Sequence, residues 1–335
     1  MSGAAVRSVL PGESCDVSIS AAPAPGRSPL SALTMWTPSA GTRCGVAQYA
    51  DALTAALHRT GCPVTHVAEP SAAGSVLHLQ HEHSLVAPER VAEVAGQARD
   101  VGVPFVVTEH TVRDQVDDWE DKAAALVAHS ADGATLLRER WPAQRVELIP
   151  HGCPTWFPPR KVRRGRVVAT FGFLEPHKGL AALLEAAAAV GDVELLLIGS
   201  TRAAWADEWL AGLDLAVPVR RVAEFLDEAE IARRLAAEAD VLVFPYAQPR
   251  FAAVSGAVRV GLASGVPVLT TPTTWFSDLR AVTLQADDLA AGIARLLEDT
   301  ALRDELTAAA RQHCAEHSWT RAARRHVELY DSLRR

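Results

Sequence analysis

The sequence predicts an α/β protein made of two doubly wound parallel-sheet domains, and three observations carry that prediction. The chain has 335 residues, room for two domains at about 150 residues each. Short apolar runs alternate with longer segments of helical period in two successive series, as expected of strands covered on both faces by crossover helices. Between the series, residues 154–166 (PTWFPPRKVRRGR) hold three prolines and five basic residues, the texture of a linker.

The elements follow in order. Residues 1–31, rich in Ser, Pro, Ala and Gly, read as a flexible leader without catalytic weight. The first series places strands at 32–36 (ALTMW), 63–67 (PVTHV), 75–79 (SVLHL), 104–108 (PFVVT), 124–128 (AALVA) and 146–149 (VELI), with a helix opening at about Gly45. The second places them at 166–171 (RVVATF), 193–198 (VELLLI), 218–222 (PVRRV), 241–244 (VLVF) and 267–270 (PVLT). A last helix begins after Ser318 as N-cap and puts Trp319, Ala323, Val327, Tyr330 and Leu333 on one stripe, which needs a surface to pack on. The boundaries are therefore 1–31, 32–155, 166–316 and 317–335. No short-period repeat is visible, which excludes a solenoid.

Composition removes several function classes. Hydrophobic residues make up 49% and charged residues 22%, a globular balance. A formal charge of -7 gives no cationic pull toward nucleic acid or an anionic bilayer. The five cysteines are scattered without a C-x-x-C pair, which fits neither a disulfide framework nor a zinc site and points to a reducing cytoplasm. No run nears 18 apolar residues, so membrane contact would be peripheral. Among 33 basic residues only Lys122, Lys161 and Lys178 are lysines, as in a high-GC bacterial gene.

Three junctions could carry chemistry. In ATFGFLEPHKGLAALLEAAA, a strand ending at Phe171 delivers Gly172 and Phe173, and Lys178 opens a helix where a phosphate at the sheet edge could be neutralised. In FPYAQPRFAAVSGAVRVGLASGVPVLTT, a buried strand runs into a loop with Tyr246 and Arg250. Ser255 and Gly256 then start a helix whose first-turn amides, through Ala257, Val258 and Arg259, could receive a pyrophosphate. In SAGTRCGVAQYADALTAAL, Gly45 and Tyr49 open a helix beside a ligand cleft; no G-x-G-x-x-G or Walker lysine is present. Histidines gather at strand ends: His78, His81 and His83 around Glu82, then His110, His129 and His151. The spacing 78/81/83 invites a metal reading, but no helix places two of these three at i, i+4, so no metal is expected. The acidic run 117–121 could hold a divalent ion, but it reads first as a solvated helix start, where carboxylates oppose the positive dipole end.

Taken together, RCGVAQYADAL, HLQHEHS, TEHTV, AHS, IPHG, FGFLEPHKG, LLLIGS, ADVLVFPY, SGAVRVGLASGVPV and SWTRAARRHVELY resemble the GT-B glycosyltransferases of the retaining family 4 type, in order over residues 32–333. The resemblance implies two Rossmann-like domains facing across a cleft, with a nucleotide-sugar donor (UDP or GDP) on the C-terminal one. It implies a small-molecule, lipid or glycan acceptor facing the N-terminal domain, and a last helix crossing back to it. It further implies retention without a metal or other cofactor, Lys178 on the donor pyrophosphate and His110 near the reacting sugar. The donor side would comprise Gly172, Phe173, Lys178, Glu224, Tyr246, Arg250, Ser255, Gly256, Ala257, Val258 and Arg259. The acceptor side would comprise Gly45, Tyr49, His81, Glu82, His83 and His129.

Two departures stand out. The family's E-x7-E pair falls on Ala252 and Val260, and Phe173 stands where many relatives have arginine, with Arg250 or Arg259 as candidate replacements. A sugar-nucleotide epimerase of the same fold, or an inactive sugar-nucleotide-binding subunit, are the rival readings.

Overall fold

The computed structural model describes residues 32–70, 74–160, 165–199, 204–213, 216–224 and 226–334. The leader at 1–31 and Lys161 lie outside the described residues. The described residues form two parallel six-stranded sheets, each flanked by helices.

The first domain runs β1 (Leu33–Trp36), α1 (Gly45–Arg59), β2 (Val64–Val67), β3 (Leu77–His81), α2 (Pro88–Asp100), β4 (Phe105–Glu109), β5 (Thr111–Val112), β6 (Ala125–Ala128), α3 (Ala131–Arg140) and β7 (Val146–Leu148). Its sheet order is β2-β1-β3-β4-β6-β7. β1, β3, β4 and β6 are buried at every residue; β1 and β6 are largely apolar, whereas β3 also buries His78, Gln80 and His81 and β4 buries Thr108 and Glu109. β2 at the edge is half-exposed and carries Thr65 and His66. α1 packs inward through Val46, Tyr49, Ala50, Leu53 and Leu57, an i, i+3, i+4 stripe.

The second domain runs β8 (Val167–Phe171), α4 (Leu180–Val190), β9 (Glu194–Ile198), α5 (Ala204–Ala211), β10 (Val219–Val222), α6 (Glu228–Glu238), β11 (Val241–Phe244), β12 (Ala252–Ala253), α7 (Gly256–Ala263), β13 (Val268–Thr270), β14 (Leu284–Gln285), α8 (Leu289–Glu298) and α9 (Thr300–Glu316). The order is β10-β9-β8-β11-β13-β14. Edge strand β10 again carries charge, with Arg220 paired to Glu194 and Glu238.

The final helix α10 (Trp319–Leu333) belongs to the core of the first domain. Trp319, Ala323, Leu329 and Tyr330 join Leu33, Met35, Tyr49, Leu53 and Leu57 in one apolar cluster. Each fully buried large side chain there is worth about 1.5–3 kcal/mol. Ser318 caps it by accepting from the Arg321 amide.

Three sequence expectations need correction. The third strand starts two residues later than its apolar run, at Leu77, so His78 lies inside it rather than at its end. That imidazole is fully buried, between the Tyr330 hydroxyl at 2.6 Å and the Thr108 hydroxyl at 2.8 Å. The acidic run 117–121 is not a solvated helix start: Asp117 and Glu120 are buried, and Glu120 accepts from Arg140 and the Trp141 indole. Two short pairings went unread, β14 and the two-residue antiparallel ladder β5–β12, which joins the domains through Thr111–Ala253 and Val112–Ala252.

Candidate functional site

The C-terminal ends of both parallel sheets face one cleft of about 420 Å³, within the range of small-molecule sites. On the second domain it is lined by Gly172 and Phe173 after β8, Lys178 before α4, Glu224 after β10, Tyr246 after β11, and Ser255, Gly256 and Ala257 at the start of α7. The first domain contributes Gly45 and Tyr49 of α1, Glu82 after β3, and His110 and Thr111 after β4.

Lys178 sits on a single 3-10 turn, Pro176–Lys178, that ends at Gly179. Gly179 has φ +72, and a Cβ there would lie 1.8 Å from the Pro245 carbonyl oxygen, so the turn that aims Lys178 requires glycine. The Lys178 ammonium rests over the rings of Tyr246, at 3.9 Å, and Trp275, at 5.3 Å. Among the described residues it forms no ion pair, so its charge is available to an anion in the cleft.

Helix α7 starts at the same place. Ser255 occupies its N-cap position, yet its hydroxyl does not cap the helix and instead lies 3.5 Å from the Tyr246 hydroxyl. The first-turn amides are thereby left without a side-chain acceptor at the positive end of the helix dipole. His151 of the first domain closes over this end: a Cβ on Gly256 would lie 3.2 Å from its Nε2.

His110 is a neutral imidazole. Its Nε2 lies 3.0 Å from the Gln80 amide oxygen, so that nitrogen carries the proton and Nδ1 the lone pair. Burial first, then His129 and His81, hold it well below the ordinary imidazole range. The Tyr49 ring is the hub of this wall, 4.7 to 5.1 Å from His110, His129, His151 and Trp319. Its hydroxyl is buried without a partner, and burial pushes its ionisation upward.

The remaining candidates sit elsewhere. Arg250 is exposed and Val258 is core, and neither lines the cleft. Arg259 is 1% exposed, donates to the Ser255 carbonyl at 2.8 Å and pairs with Asp278, so its charge is spent inside the domain. His81, His83 and His129 lie behind the lining residues. Of the E-x7-E positions, Val260 lines the cleft, whereas Ala252 is buried in the β5–β12 ladder within the apolar cluster of the first domain.

Sequence reasoning missed Glu175 and Glu228 as cleft residues, and Trp275 lines the cleft as well. Glu228 is pushed up to about 7 by burial, then by Asp227 and Cys153, so near neutral pH its carboxyl can donate as well as accept. Its signal was faint, an acid one place after the helix cap Asp227.

Residues 165–299 match the family described as glycosyl transferases group 1. No curated protein is matched by the sequence. Among solved structures, the chain is similar to HepE of Anabaena in complex with UDP-glucose, at TM-score 0.69 and 14% identity over 90% of this chain and 100% of that one. It is similar to an alpha-glucosyltransferase in complex with UDP and a 13-mer DNA, at TM-score 0.65 and 12% identity over 91% and 100%. A third, AviGT4, a glycosyltransferase involved in avilamycin A biosynthesis, aligns at TM-score 0.59 and 14% identity over 91% and 98%.

Proposed function

We infer that this protein, a GT-B glycosyltransferase with a group 1 domain at residues 165–299, moves a hexose from a uridine diphosphate sugar to an acceptor entering from the first domain. One observation carries the reading. Lys178, without a carboxylate partner among the described residues, and the uncapped start of α7 face the same cleft, a matched pair of positive groups for a diphosphate. The choice of uridine rests on the similar structures, whose bound ligands are UDP and UDP-glucose.

The bond from the sugar's anomeric carbon to the diphosphate breaks with its electrons going to the phosphate oxygen. Lys178 and the α7 amides stabilise the charge that develops there, which is where catalysis of this kind gains most. The acceptor hydroxyl forms the new bond on the same face, with retention, and its proton passes to the departing phosphate. The unprotonated Nδ1 of His110 accepts a hydrogen bond from a sugar hydroxyl and so orients the ring. No divalent metal is needed at the diphosphate, because the charge it would supply is already built in.

The test is nucleotide release from UDP- and GDP-sugars, with and without candidate acceptors, in the absence of added magnesium or manganese. Release of UDP, with a product heavier by one hexose, supports the reading. Tight UDP-sugar binding with neither release nor transfer overturns it in favour of an inactive binding subunit, and conversion of the donor sugar in place favours an epimerase.

A further inference from the structure

Behind the acceptor wall, the end of β3 and its loop bring His81 and His83 against Asp117, which follows β5 in the chain. One donor atom from each lies within 4.8 Å of the other two. We propose that His81, His83 and Asp117 bind a divalent transition-metal ion, zinc by ligand type, that fixes the β3 loop on the acceptor side of the cleft. The sequence reading set a metal aside because no helix places two of the strand-end histidines at i, i+4; the strand-and-loop geometry brings in the further ligand from Asp117.

The hydrogen bonds define the free lone pairs. His81 Nδ1 lies 2.7 Å from Glu109 Oε2 and donates to it, which leaves Nε2 as the ligand nitrogen. This carboxylate–histidine arrangement is the one that orients metal-bound imidazoles. His83 Nε2 lies 3.2 Å from the Thr111 carbonyl oxygen, which can only accept, so His83 carries its lone pair on Nδ1. That Nδ1 is 3.3 Å from Asp117 Oδ2, an oxygen that receives no hydrogen bond. Two lone pairs therefore face each other with no proton between them. Their spacing equals the edge, about 3.3 Å, of a tetrahedron with metal–ligand bonds of about 2.0–2.1 Å.

Charge points the same way. Glu109 and Asp117 are 3% and 7% exposed, and their ion pairs among the described residues are with His81 and His83 alone. Imidazoles that ligate a metal are neutral, and Glu109 and Asp117 then supply two buried negative charges, which one divalent cation balances. Two histidines and one carboxylate suit zinc and leave a fourth position for water. Glu82, between the two histidines, lines the cleft, so a metal here sets the position of a carboxylate facing the acceptor.

Protein freed of metal by a chelator is titrated with Co²⁺, whose tetrahedral complexes absorb in the visible, and then challenged with Zn²⁺. The expected result is one equivalent of Co²⁺ per chain, displaced by Zn²⁺. His83→Gln and Asp117→Asn each remove the band, while Glu109→Gln weakens affinity about 10- to 100-fold. Wild-type protein without a stoichiometric tetrahedral spectrum overturns the proposal, as does an unchanged spectrum in folded His83→Gln or Asp117→Asn. The former outcome assigns the cluster to a His81 imidazolium paired with Glu109. The readout does not depend on sugar transfer, so it stands or falls apart from the proposed activity.

Discussion

Lys178 is one of three lysines in a chain of 33 basic residues, and its setting separates binding from catalysis at the scale of single residues. Its ammonium stacks on Tyr246 at 3.9 Å rather than pairing with a carboxylate. Replacing it removes positive charge from the leaving group, and the packing lost is confined to the faces of Tyr246 and Trp275 that it covers. Lys178→Ala is expected to lower turnover about 10²- to 10³-fold with an unchanged melting temperature, measured by steady-state UDP release and thermal unfolding. His110 differs because its neutral imidazole orients rather than neutralises. His110→Ala should reduce kcat while donor affinity stays within about twofold; an equal loss in both would assign it to binding alone. The sequence exposed Lys178 through its rarity and through the strand-turn-helix signal that begins at Gly172. It could not show that Arg259, equally conspicuous beside the helix start, is consumed by Asp278, because that partner comes from a 3-10 turn, Thr274–Leu279, later in the chain.

At the scale of elements, the apolar runs located the strands within one or two residues, and β3 is displaced by two because its second half, Gln80 and His81, is polar though buried. The two-residue β5–β12 ladder was illegible because a strand that short has no period. It nonetheless explains why alanine serves at 252: the residue is shut in an interdomain ladder, not turned to the cleft. Helix α10 was legible from its stripe, but its polar anchor was not. Tyr330 reaches His78 at 2.6 Å across the core, and burial holds that imidazole neutral, far below its usual range. Tyr330→Phe leaves the buried ring nitrogen without a partner and should cost about 1–3 kcal/mol in chemical denaturation, at unchanged m-value. A loss below about 0.5 kcal/mol would mean that water replaces the hydroxyl.

For the whole molecule, the first domain and α10 bury a group of histidines in and behind the cleft wall, and this sets a pH dependence. Burial, ahead of the other causes, lowers His129 to about 3 and His326 to about 4, from an ordinary value of about 6.5. Below pH 6.5 the unfolded chain takes up protons that the folded chain refuses, so these groups stabilise the fold above that pH. Their contribution falls as pH drops from about 6.5 toward 3. Equilibrium denaturation should show stability declining steadily over that window, and a flat profile would contradict the buried, neutral state of the wall. The cleft that this wall faces is the centre of the account. Calorimetric titration of UDP into wild-type, Lys178→Ala and His110→Ala proteins tests it most directly. The expected result is stoichiometric binding to wild type, at least about tenfold weaker binding to Lys178→Ala and near-native binding to His110→Ala. UDP binding that is indifferent to Lys178, or absent from the wild-type protein, would contradict it.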